Sequence, residues 1–139
     1  MLFRSTGGAG FDTLTGGVGA DTFVFAKHDS GPHFSQADVI TDFNAADGDK
    51  IQLGNLHFSS GSQYMETSIF NDGNHVDNFN LGLSFAKEHV AMDHVEAVFV
   101  TDHQNGYLFA DIDHNGLVDT AIELHGLNSI TEFSWRNLV

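Results

Sequence analysis

Residues 7–24 are one nonapeptide written twice without a gap: Gly7-Gly8-Ala9-Gly10-Phe11-Asp12-Thr13-Leu14-Thr15, then Gly16-Gly17-Val18-Gly19-Ala20-Asp21-Thr22-Phe23-Val24. Both copies fit G-G-x-G-x-D-x-U-x, where U is a large apolar residue. A strict tandem period leaves a chain few choices, because each copy must form the same small unit and stack on its neighbour. In the first six residues the glycines let the backbone bend so that carbonyl oxygens turn inward, and the aspartate adds a negative oxygen beside them. The last three residues fit a short strand with Leu14 or Phe23 facing the interior and Thr facing out. The expectation is a short right-handed parallel β-roll holding Ca2+ between its turns, with Gly8, Gly10, Asp12, Gly17, Gly19 and Asp21 at the metal sites. A Gly-rich hairpin of the same spacing is the competing reading. A dinucleotide-binding loop fails, because no strand precedes these glycines and no helix-forming segment follows them.

Two turns are too few to complete many sites, so something downstream must finish the stack. The continuation reads Thr22-Phe23-Val24-Phe25, Asp29-Ser30, Asp38-Val39-Ile40-Thr41-Asp42-Phe43 and Gly48-Asp49-Lys50-Ile51-Gln52-Leu53. This order of short motifs over residues 7–53 resembles the C-terminal domain of serralysin-type metalloproteases and related RTX proteins, whose nonapeptides bind calcium. The resemblance implies that Asp29 and Asp38 ligate ions left half-coordinated where the repeats stop. Taken alone, Asp29 is equally a loop residue and Asp38 a strand-start cap.

The similarity continues more loosely to Leu108-Phe109-Ala110-Asp111-Ile112-Asp113-His114-Asn115-Gly116-Leu117-Val118-Asp119. Oxygens at alternating positions around a glycine turn can encircle a cation, which makes Asp111, Asp113, Asn115 and Asp119 a second candidate site. The twelfth loop position, a bidentate Glu in an EF-hand, is Ile122 here. Asn115-Gly116 between apolar residues is also a hairpin signal, so a metal-free turn competes.

Composition narrows the remaining classes. Nineteen acidic against five basic residues give a formal net charge of -14, which repels nucleic acid phosphates and anionic membranes. Cysteine is absent, so no disulfide framework and no thiolate zinc site can form. No stretch is apolar enough for a signal peptide or a membrane span, so export is expected to rely on another signal. Nine histidines invite a zinc reading, but His89 and His94, like His28 and His33, are five apart rather than four, and H-E-x-x-H is missing. They read as surface histidines. G-x-S-x-G is missing too, so no catalytic site is expected. Trp135 and the thirteen Phe read as core rather than as a sugar-binding face.

The expected fold is therefore all-β, with the roll and its capping segment at residues 1–53 and an antiparallel β-sandwich with a C-terminal tail at 54–139. Ser84 to Asp93 is the one stretch that suits a helical turn or two. The resemblance implies a non-catalytic, secreted, calcium-binding module that folds outside the cell. Its partners would be an upstream domain of the same polypeptide and a type I secretion apparatus, the signal lying near Trp135-Arg136-Asn137-Leu138-Val139. The alternative is an extracellular adhesin or polysaccharide-binding module.

Overall fold

The computed structural model describes residues 3–69 and 73–139. Among the described residues nine strands form two sheets. Strands β1 (Phe3–Ser5), β3 (Asp21–Phe25) and β5 (Lys50–Leu53) make a three-stranded sheet in the order β1-β3-β5. Strands β2 (Thr13–Leu14), β4 (Asp38–Ile40), β6 (Tyr64–Ser68), β7 (Ala97–Thr101), β8 (Asn105–Ala110) and β9 (Thr120–His125) make a six-stranded sheet in the order β2-β4-β9-β8-β7-β6. The first five strands thus alternate between the sheets, and each pairs in parallel with the strand two along: β1 with β3, β2 with β4, β3 with β5.

Two nine-residue units separate the first partners, Phe3 and Asp21. Beyond the repeat Phe23 pairs with Ile51 and Phe25 with Leu53, so side chains of one face stack in rows. In β3, Asp21, Phe23 and Phe25 are buried while Thr22 and Val24 are half-buried, the period-2 alternation of a strand with one covered face.

The expected antiparallel sandwich is a mixed sheet. Strands β7, β8 and β9 are antiparallel neighbours, but β6 runs parallel to β7, and β4 runs parallel to β9. These three central strands are buried on both faces, which explains their near-continuous apolar sequence. Phe99, Leu108, Ile122 and Leu124 pack toward Phe23, Phe25, Ile51 and Leu53 of the small sheet. Val98, Val100, Tyr107, Phe109 and Ala121 pack toward Phe79, Leu83, Ala86 and Val90 of a helix. The described residues are mostly sheet, with an α-helix layered on the outer face.

That helix, α1 (His75–Asp93), is longer than the sequence led us to expect. Its N-terminus is capped by Asn74, whose side chain accepts from the Val76 and Asp77 amides, and His94 ends it in the left-handed region. Its buried stripe includes Asn78 and Gly82, while Val76, Leu81 and Met92 are exposed, so apolar residues do not mark one face. At Gly82 the helix comes so close to the sheet that a Cβ would lie 3.2 Å from Phe109 and 3.3 Å from Val100.

One buried carboxylate ties helix to sheet. Asp102, 1% exposed, accepts from the Gln104 and Asn105 amides through Oδ1, and from the Tyr107 hydroxyl (2.7 Å) and the Asn78 amide (3.1 Å) through Oδ2. Burial alone would raise its pKa, but these four donors together hold it below the ordinary carboxylate value. Asp102→Ala strands the Tyr107 and Asn78 donors inside the helix–sheet interface and is expected to cost about 2–4 kcal/mol, against about 1 kcal/mol for Tyr107→Phe. Urea unfolding of both variants checks the order; equal losses would mean that Asp102 serves the Tyr107 hydroxyl alone.

Candidate metal centre

The glycines of the two repeats do what the pattern requires. Gly8, Gly10, Gly17 and Gly19 have φ of 84°, 122°, 92° and 106°, values that L-residues with a side chain rarely adopt. The first glycine of each copy matters through space instead. A Cβ at Gly7 would meet Asp12 Oδ2 at 2.9 Å, and one at Gly16 would meet Asp21 Oδ2 at 2.6 Å, so each turn folds tightly over its own aspartate.

The aspartates lie at two edges of the stacked turns. At one edge Asp21 begins β3 and Asp49 immediately precedes β5. Asp21 Oδ1 accepts from the Phe3 amide at 3.0 Å, and the Asp21 amide donates to Asp49 Oδ1 at 2.8 Å. Asp49 Oδ2 takes the Asn44 amide at 2.9 Å. At the other edge Asp38 begins β4, and its Oδ1 accepts from the Asp12 amide at 2.9 Å. Apart from the local Asn44 link, these bonds join residues of successive layers, carboxylate to amide.

The second oxygens are different. Asp12 Oδ2, Asp21 Oδ2 and Asp38 Oδ2 are buried and have no hydrogen-bond partner. Buried polar atoms are seldom left so, and a carboxylate oxygen least of all. Two of these oxygens lie at the Asp38 edge and one at the Asp21 edge, in a chain of net charge -14, and anionic oxygen is the donor that a hard cation prefers.

The other expected residues divide. Asp29 caps its own turn, its Oδ2 accepting from the Ala26 amide at 2.8 Å, while its carbonyl accepts from the Gly10 amide at 3.3 Å. Gly10, Asp29 and Asp119 line one cleft of about 310 Å³. Asp111, Asp113 and Asp119 each bring a carboxylate oxygen within 4.8 Å of the others. Their oxygens are already engaged. Asp111 accepts from the Asn115 and Gly116 amides, Asp119 from the Ile112 amide and the Thr120 hydroxyl, and Asn115 Oδ1 from the Leu117 amide. Asp113 is paired with the Lys27 ammonium, whose hydrogen bond holds its pKa below the ordinary value.

Asp49 escaped the sequence reading, and Asp42 is a weaker candidate there than Asp29 or Asp38. Asp49 is one turn on from Asp21 in the same row, and its place just before Lys50-Ile51-Gln52-Leu53 was the available signal. Asp42, which accepts from the Gly16 and Gly17 amides at 2.9 and 2.8 Å, clamps the start of the second repeat.

Asp38 carries the electrostatic cost of the arrangement. It is fully buried, and burial pushes its carboxyl up to about 6; the neighbouring charges of Asp12 and Asp29 push the same way, against the hydrogen bond from the Asp12 amide. A folded-state pKa above the unfolded one means that the native chain holds this proton more tightly. The stability contributed by neutral Asp38 is therefore present below about 4 and lost as pH rises through about 6. In chelator-treated protein, β-structure followed by circular dichroism is expected to be greater below about 4 than above about 6, and Asp38→Asn to remove this part of the difference. A β-content that does not change across that window would contradict it.

No curated protein matches the chain. A family model described as Peptidase M10 serralysin C terminal matches residues 2–132, nearly the full length. The family is the C-terminal domain of these metalloproteases, distinct from their catalytic domain. With the doubled nonapeptide, the alternating strands and the aspartate rows carried on one continuous match, the chain belongs to the serralysin C-terminal family.

Proposed function

We propose that this chain is a calcium-binding module that folds when calcium binds outside the cell, and that it serves the secretion and stability of a larger protein. The observation that carries the reading is the set of buried, partnerless oxygens on Asp12, Asp21 and Asp38. Leaving them ionised and unpaired opposes folding, and so does their mutual repulsion. A divalent cation offsets both, so cation binding and folding become one equilibrium.

In this reading strands β1 to β5 are successive half-turns of a right-handed parallel β-roll. Asp12, Asp29 and Asp38 would hold an ion at one edge and Asp21 at the other, with inward carbonyls from the turns of Gly8, Gly10, Gly17 and Gly19. A further ion at Asp111, Asp113, Asn115 and Asp119 would have to displace the Lys27 ammonium and several amide hydrogen bonds, so the front turns load first. In a low-calcium cytoplasm the chain stays extended, a form suited to a type I secretion channel, and an upstream domain of the same polypeptide carries the chemistry. No described helix is long and apolar enough to cross a membrane.

The test is a calcium titration of chelator-treated chain, followed by circular dichroism and calorimetry. β-Structure and a cooperative melt are expected to grow in with calcium. Asp12→Asn and Asp21→Asn keep their shape but lose charge, and each should weaken calcium binding by roughly 10- to 100-fold. A chain already folded without calcium and indifferent to its addition would sink the proposal, and retention on an extracellular polysaccharide column would then become the leading test.

A further inference from the structure

On the helix side of β9, His75, Glu123 and His125 bring one ligand atom each within 4.8 Å of one another. Their meeting follows from the fold. Ile122 and Leu124 of β9 face the small sheet, so Ala121, Glu123 and His125 face the helix side, and the first residue of α1, His75, is set down there. Glu123 is 3% exposed, a buried carboxylate whose Oε2 lies between two imidazoles, 3.0 Å from His75 Nε2 and 3.2 Å from His125 Nε2.

We propose that His75 Nε2, Glu123 Oε2 and His125 Nε2 form a three-ligand site for a transition-metal ion of the zinc type. Two donors bound at about 2.1 Å to one ion stand roughly 3.0 to 3.4 Å apart, as Glu123 Oε2 does from each imidazole nitrogen, and all three ligand atoms lie within 4.8 Å of one another. His75 Nε2 supplies an independent sign. It is buried, and although it approaches Glu123 Oε2 it makes no hydrogen bond with it or with any other group. A nitrogen whose lone pair is aimed at a shared ion, beside the oxygen rather than at it, has this relation to a co-ligand. The His75 ring is also held in place, edge-on to Phe34 (5.3 Å between centroids) and tilted against Tyr107 (5.8 Å). Imidazole nitrogen selects zinc-like ions over calcium, so the site is chemically separate from the aspartate turns.

Three protein ligands leave a fourth position open. It faces a pocket of about 410 Å³ walled by Phe11, Phe34 and Val39, so a water or a small ligand donor completes the ion there. The hydrogen bond between His125 and Glu123 is what the ion replaces.

The experiment keeps the protein in saturating calcium and titrates Co2+, which reports imidazole ligation through visible ligand-field absorption. The expected result is a band that saturates at one equivalent and is abolished by Zn2+. His75→Ala and His125→Ala should each weaken Co2+ binding by more than about 100-fold, exceeding the effect of losing an outer-shell partner. His103→Ala, remote in function, should leave it unchanged. The His125 ring is 43% exposed, so its removal spares the core and decides the matter even if Glu123→Gln fails to fold. Absence of the band, or a band that survives the His75→Ala/His125→Ala double change, means scattered surface histidines and overturns the site. Because calcium is saturating throughout, failure here leaves the calcium reading untouched.

Discussion

A carboxylate buried with one oxygen engaged and the other idle is the constraint around which the N-terminal half is arranged. Asp21 and Asp38 each spend Oδ1 on a backbone amide in the neighbouring layer, which locks successive turns in register. Oδ2 is left facing the interior of the edge. The two requirements are linked, because the aspartate can brace the next turn only from a position where water is excluded. Exclusion of water makes the second oxygen costly and a cation valuable. The glycines follow from the same demand, since Gly7 and Gly16 cover their aspartates so closely that any Cβ would collide with them.

Lys27 shows the other way of meeting that demand. Asp111, Asp113 and Asp119 each bring a carboxylate oxygen within 4.8 Å of the others, yet amide donors and the Lys27 ammonium satisfy them from within the chain. A cluster of acidic residues is therefore not equivalent to a cluster of unsatisfied oxygens. The count of carboxylates is similar in the two places; what differs is whether a donor has been folded onto each one.

This difference marks what was legible in the sequence. The tandem period made parallel stacking of the first strands legible, because identical units of nine residues stack in register, and Asp29 and Asp38 lie in short motifs that follow it. The mixed order of the large sheet was not legible, since the parallel pairings of β4 with β9 and β6 with β7 join segments that share no local signal. Helix α1 was half-hidden because Gly82 and Asn78 occupy its buried face, one for close approach to Phe109 and the other to donate to Asp102. Both roles belong to the partner surface, not to the helix. Among the histidines, pairs five apart drew attention, whereas the three-residue cluster joins positions 75, 123 and 125. Only the period of β9 and the landing point of α1 bring those together.

The two-faced sheet β7-β8-β9 connects these halves. One face carries the apolar rows that the small sheet covers, and the small sheet in turn carries the Asp21 edge; the other face carries α1 and the Asp102 network. If the front turns close only when a cation is present, the inner face of this sheet has a cover only then, and Phe99, Leu108, Ile122 and Leu124 would otherwise face water. Burying such side chains stabilises by about 1.5–3 kcal/mol each, a gain that buried, unpaired carboxylates can offset until a cation joins them. On the proposed reading the apolar rows would supply most of the stability, and the aspartate edges would set the condition under which it is released.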